Sequence, residues 1–305
     1  MESGQSRWRR AVMRVGTVAL CAGAAGLLGG VAGAAPPLGA VDQDSPYYLA
    51  LGGSASVGFQ PTAADPHGER TLSGYANDLL DAERSRWHDL RLVDLGCPGE
   101  TTATMRTGTD HCTYPQASQL GAALSFLHQH PSTVLITVDL GFNDVVRCLR
   151  HATIDETCVA RALRDVGVQL PQILTLLKET AAPGTLMIGL THYDPYLASA
   201  LDGPAGRMFA AQSLAVILRL NDALRAAYGA AGIPVADIPA AFDMTNTQPT
   251  SVPGFGTVPL DVARTCALTW ECAPAPLGPN KHPNDAGYRV IGEAIADAVG
   301  DAIGS

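Results

Sequence analysis

The sequence predicts an α/β fold, a three-layer α/β/α sandwich built on a mainly parallel central sheet of about five strands. Three observations predict it: five short apolar runs rich in β-formers, segments of helical periodicity between them, and glycines or small residues where several of the runs end. Residues 47–53 form the first run, a buried strand closed by Gly52 and Gly53. Residues 75–87 carry apolar side chains at helical spacing, 90–95 read as a strand, and 133–140 are a continuous β-branched strand. A long amphipathic helix over 159–180 leads to a strand at 185–190, a helix over 208–231, a strand at 234–238 and a terminal helix over 285–303 with Ala, Ile and Val on one face. Strands that alternate with helices pair in parallel through right-handed crossovers, which places helices on both faces of the sheet. Two stretches lack regular pattern: 35–46, expected as a flexible tail, and the Thr-, Pro- and Gly-rich 246–259, expected as a loop on the rim of the site.

The N-terminus reads as an export signal. Arg7, Arg9, Arg10 and Arg14 precede an apolar run over 15–31, and Ala32-Gly33-Ala34 offers a small-residue cleavage site. This divides the chain into a signal peptide (1–34), a flexible mature N-terminus (35–46) and one catalytic domain (47–305). Cleavage would remove Arg7, Arg9, Arg10, Arg14 and Glu2, so the 20 basic and 29 acidic residues become 16 and 28, a net charge of −12. So acidic a chain has no electrostatic footprint for nucleic acid or an anionic membrane surface. No later apolar stretch reaches spanning length. A secreted or envelope-located, soluble monomer is expected.

Seven cysteines are present, and Cys21 would leave with the signal. Six remain, which allow fifteen pairings. The local scheme, Cys97–Cys112, Cys148–Cys158 and Cys266–Cys272, is favoured because each couple closes a short loop next to a candidate site residue. The spacings give no paired metal knuckles, and an exported chain points to disulfides.

Four blocks carry the chemistry. They are Gly52-Gly53-Ser54-Ala55-Ser56, Gly96-Cys97-Pro98-Gly99-Glu100-Thr101, Gly141-Phe142-Asn143-Asp144 and His282-Pro283-Asn284-Asp285. In that order they supply a hydroxyl nucleophile, a backbone N–H, a side-chain amide and a base, the set that acyl transfer from an ester requires. Three of them follow predicted strands directly, where open α/β sheets place their reactive loops.

The blocks resemble those of the SGNH (GDSL) hydrolase superfamily of esterases and lipases, over a span from about Tyr47 to the C-terminus. The resemblance implies a flavodoxin-like fold, Ser54 as nucleophile, His282 as general base, and Ser54, Gly99 and Asn143 as the oxyanion hole, with no metal or organic cofactor. Two positions depart from the family: Gly53 stands where it usually has Asp, and Pro279 where it usually has the Asp that orients the histidine. By analogy with members that use a main-chain carbonyl, the backbone C=O of Pro279 is expected to hold His282, with Asp285 and Asn280 as rivals. His192 is a rival base by position and is read as cleft lining; His67, His88, His111, His128, His130 and His151 are read as surface residues. The substrate expected is a small-molecule or lipid ester. A carbohydrate O-deacetylase, acting on an acetylated glycan, and a non-catalytic envelope-binding protein are the alternatives.

Overall fold

A computed structural model describes residues 45–150 and 153–304. The predicted signal peptide and most of the predicted tail lie outside the described residues, as does His151. Ser45 and Pro46, expected in the tail, belong to the fold. The Ser45 carbonyl accepts a bond from Ser132 Oγ at 3.0 Å, and the Pro46 carbonyl accepts one from the Arg91 N–H at 2.9 Å.

The order of elements is β1 (Tyr47–Gly52), α1 (Tyr75–Glu83), β2 (Arg91–Asp94), α2 (Thr102–Thr107), α3 (Gln119–Gln129), β3 (Thr133–Asp139) and α4 (Phe142–Val146). A small antiparallel pair follows, β4 (Leu149–Arg150) and β5 (Thr153–Ile154), then α5 (Glu156–Thr180), β6 (Leu186–Leu190), a 3₁₀ helix over Pro195–Leu201 and α6 (Gly203–Ala230). The last part holds β7 (Val235–Ala236), α7 (Ile238–Ala241), the hairpin β8 (Pro249–Val252) and β9 (Gly256–Pro259), α8 (Leu260–Leu268) and α9 (Asp285–Gly304).

The five long-range strands pair in parallel in the order β2-β1-β3-β6-β7. Numbered along the sheet alone this is 2-1-3-4-5, the flavodoxin-like order, whose topological switch point lies between β1 and β3. Side chains alternate across it. Leu49, Leu51, Ile136 and Val138 enter a core closed by α3, α5 and α6, while Tyr48, Ala50, Leu135 and Ile188 enter a second core closed by α1 and α9. The helical period predicted over 159–180 is visible in α5, where Val159, Ala162, Val166, Leu170, Ile173, Leu174 and Leu177 are buried. Each large aliphatic side chain so buried contributes about 1.5–3 kcal/mol.

The structure departs from the pattern where side chains, not apolar period, make the element. The strand predicted at 234–238 is only two residues long, because the Asp237 side chain accepts the Ala240 N–H at 3.3 Å and starts α7. Helices α2 and α3 are begun by their caps: Thr101 and Thr104 bond reciprocally, and Ser118 accepts the Gly121 N–H at 3.0 Å. The irregular segment at 246–259 contains the hairpin β8–β9, which turns through Gly254 and Gly256 at φ 84° and 75°. It does not line the cleft described below.

Disulfides join Cys97–Cys112, Cys148–Cys158 and Cys266–Cys272, the local scheme. The first encloses the loop after β2, which is also tied to β1 by the Cys97 N–H to the Gly52 carbonyl at 2.9 Å. Replacing Cys97 and Cys112 together by Ser is expected to cost about 3 kcal/mol in the chain-entropy account. Chemical denaturation of that variant, beside a non-reducing peptide map of the native protein, measures it; an unchanged midpoint or a long-range linkage would contradict the scheme.

Candidate functional site

At the carboxyl edge of the sheet, β1 and β3 come so close that only glycine fits. Gly52 has φ 131°, and a Cβ there would sit 2.0 Å from the Asp139 carbonyl oxygen. The buried Gln119 side chain holds this turn from behind, accepting the Gly52 N–H at 2.7 Å and donating to the Gly52 carbonyl at 3.0 Å. The Gly53 N–H then donates to the Asp139 carbonyl at 3.1 Å, and the chain delivers Ser54 into the cleft. Ser56 cannot serve instead: it is 0 % exposed, and its hydroxyl lies 3.1 Å from Asp94 Oδ1 and 3.2 Å from the Gly53 carbonyl.

His282 Nε2 lies 3.1 Å from Ser54 Oγ, across 228 residues of sequence. Its other ring nitrogen lies 2.7 Å from Asn280 Oδ1, which also accepts the His282 N–H at 3.0 Å. The acceptor is therefore the Asn280 side chain and not the Pro279 carbonyl that the sequence suggested. The reason is local: an Asn two residues upstream folds back on the following backbone N–H, the usual Asx geometry, and this carries its oxygen under the ring. Asp285, the other rival, is engaged elsewhere by Gln60 Nε2 at 2.7 Å. Phe59 packs on the imidazole with ring centroids 4.9 Å apart. Burial, and secondarily the charge of Lys281, pull the His282 pKa down to about 4.

Of the predicted oxyanion residues, Ser54 and Asn143 line this cleft, while Gly99 is not among the residues that line it. Gly99 adopts φ 83° and is exposed in the loop after β2, and Asn143 stands in the first turn of α4 after β3. Asn143 Nδ2 donates to the Glu100 carbonyl at 3.0 Å, which turns the amide and leaves its second hydrogen for the cleft. Asp144, buried beside it, accepts the Thr102 N–H at 3.0 Å and the Thr102 hydroxyl at 2.7 Å, so the two loops are tied together. Burial raises the Asp144 carboxyl, an effect these bonds oppose. Among the described residues, the backbone N–H groups of Ser54 and Gly99 donate to no other protein group.

His192 lines the same cleft but is occupied. Its Nε2 lies 2.9 Å from the Leu140 carbonyl, its Nδ1 3.5 Å from Asp139 Oδ1, and Asn221 brackets its main chain. It is 7 % exposed, a lining residue as expected. Of the other histidines described, His67, His88, His111 and His128 are exposed, while His130 is half-buried against Tyr47 and Phe126. Sequence reading missed Asp139, Glu100 and Lys281, which also line the cleft, and Gln119 behind it. Asp139 ends a continuous apolar strand, and a lone carboxylate at a strand's carboxyl edge is the signal that could have found it. Burial raises the pKa of Asp139, with His192 opposing, and likewise that of Glu100. Among the described residues no cluster of His, Cys, Asp or Glu could hold a metal ion.

The model of the GDSL-like lipase/acylhydrolase family matches residues 50–290. No curated protein matches the chain. Among solved structures, the chain is similar to an extracellular lipase from Streptomyces rimosus (17% identity, TM-score 0.55, covering 85% of this chain and 100% of that one). It is similar also to phospholipase A1 from Streptomyces albidoflavus (19%, TM-score 0.53, 84% and 99%). A third is an acetylxylan esterase from Geobacillus stearothermophilus (15%, TM-score 0.51, 85% and 96%). At these identities the likeness is one of fold. The chain belongs to the GDSL-like lipase/acylhydrolase family, within the SGNH hydrolases that its four blocks resemble, and is a carboxylic ester hydrolase.

Proposed function

We propose that this protein is an exported serine esterase of short-chain acyl esters, working through an acyl-Ser54 intermediate. The observation that carries the reading is the 3.1 Å approach of Ser54 Oγ to His282 Nε2, with the far nitrogen of the same ring held by Asn280. Asn280 Oδ1 accepts the Nδ1–H, so the tautomer presents a lone pair on Nε2 to the hydroxyl. As Ser54 attacks the ester carbonyl, His282 takes its proton. The oxyanion is received by the N–H groups of Ser54 and Gly99 and by the Asn143 amide. His282 returns the proton to the departing alcohol, and water repeats the sequence to free the acid.

The acyl preference follows from the walls. Phe142 and Tyr193 give the cleft apolar surface, but Asp139, His192, Glu100 and Lys281 share its lining. Asp139, Glu100 and His192 are buried and offer a long alkyl chain little apolar surface to pack on. An acetyl or butyryl group asks for less. An acetylated glycan is the second reading, favoured by the same polar lining, since it presents a small acyl group on a hydroxyl-rich alcohol. Three disulfides and the predicted signal support export.

A chain-length series of p-nitrophenyl esters, with acetylated xylan beside it, is expected to give turnover that falls from acetate to palmitate. A fluorophosphonate is expected to label Ser54 and leave Ser56 unmodified. Ser54→Ala should remove activity, and Asn143→Ala should lower kcat by about 10²–10³. Absence of turnover on every ester would leave only the binding-protein alternative.

The pH profile tests the base. Only neutral His282 can accept the Ser54 proton, so kcat/KM is expected to be lost as pH falls through about 4 and to be flat near neutrality. An acid limb near 6.5, the value of a solvated histidine, would contradict the buried placement. Asn280→Ala should lower kcat more than about tenfold but far less than the ~10⁴ that follows loss of a triad carboxylate. Asn280→Asp places a negative charge beside the ring and should move the acid limb upward.

A further inference from the structure

Lys281 is the one lysine or arginine among the described residues that lines the cleft. Its main chain is fixed, since its carbonyl accepts the Tyr193 hydroxyl at 2.8 Å. Its side chain is partly buried, and among the described residues no carboxylate stands at ion-pair distance from the ammonium. The acid that acts on it is Glu271, which lines a neighbouring hollow with Asp202 and Pro279. Burial raises the Glu271 carboxyl to about 7, with Lys281 pulling the other way. A cation taken partly out of water with no contact partner is costly unless a counter-ion arrives.

The position tells which half of a substrate would bring it. The leaving oxygen takes its proton from His282 Nε2, so the alcohol lies within hydrogen-bond reach of that nitrogen. Gly99 and Asn143 belong to the loops after β2 and β3, whereas Lys281 immediately precedes His282. Glu271 and Asp202 line the neighbouring hollow, so an anion that reaches Lys281 comes from the cleft side, where the carboxyls of Asp139 and Glu100 are buried. We propose that Lys281 is a specificity-determining residue that pairs with an anionic group, a phosphate or a carboxylate, on the alcohol half of the ester. The inference rests on the esterase reading of the same site.

The test compares matched substrates on the intact mature protein: glycerol monoacetate against acetylglycerol phosphate, and an acetylated methyl glucoside against the corresponding methyl glucuronoside. For at least one pair the anionic member is expected to have the higher kcat/KM, chiefly through KM, by about tenfold, the order of one partly desolvated ion pair. Which pair does so separates phosphate from carboxylate. Lys281→Met should abolish that ratio, Lys281→Arg should keep it, and Lys281→Glu should reverse it. In the unaltered protein, raising salt from about 20 to about 500 mM should raise KM for the anionic member alone, a readout independent of how well any variant folds. If Lys281 acted only on His282, both members of a pair would change alike and the ratio would stand, which overturns the proposal. Turnover of p-nitrophenyl acetate without anion preference sinks the proposal alone; absence of all turnover sinks the esterase reading with it.

Discussion

The site depends on one close approach, that of β1 to β3 at Gly52. With no Cβ, Gly52 lets the two carboxyl ends converge, and the Gly53 N–H reaches the Asp139 carbonyl. Ser54 and Asn143, each placed just after its strand, are thereby brought to one point. A Cβ at Gly53 would already lie 3.2 Å from Asn143 Nδ2. Gln119 answers both buried polar groups of Gly52 with one amide, and the Cys97 N–H is a second donor to the Gly52 carbonyl. A buried N–H or C=O without a partner costs about 1–3 kcal/mol. The clamp therefore holds the turn in register as well as satisfying it.

The same approach accounts for Gly53, where the family usually has Asp. The position a Cβ would take at 53 is 3.8 Å from Asp139 Oδ2, so a carboxylate there would face the buried carboxyl of Asp139. Two carboxylates that close cannot both ionise without a large shift in one of them. This chain keeps a single acid at that point and gives it His192 as a partner at 3.5 Å. Where the family usually has Asp, this chain sets a glycine beside the carboxyl of Asp139 on the neighbouring strand.

What was legible in the sequence was whatever rests on period and order. The five strands, the long helices and the meeting of Ser54, Asn143 and His282 on one cleft follow from local pattern and from the topology that pattern imposes. Elements made by single side chains were not legible. The caps of α2 and α3 lie in polar sequence, and the hairpin β8–β9 is hidden in a stretch of Thr, Pro and Gly. The partner of His282 does not follow from the family's spacing, which puts the orienting group three residues upstream at Pro279, whereas the amide that holds the ring stands one residue nearer at Asn280. An Asn two residues before a histidine can reach both its N–H and its ring, and Asn280 does so.

A neutral partner has a consequence for the base. Asn280 orients the ring but adds no negative charge to stabilise an imidazolium, and burial with Lys281 nearby makes that cation costlier still. A base held so low would take a proton from Ser54 only against a steep gradient, so in the proposed mechanism the transition state would lean on the donors to the oxyanion. An anion seated on Lys281 would remove one of the two causes that depress His282. Its binding would then strengthen the base in the complex relative to the free enzyme. Recognition and catalysis would be coupled through the single residue bond between Lys281 and His282, with the substrate itself completing the electrostatics that the Asn280 amide leaves unfinished.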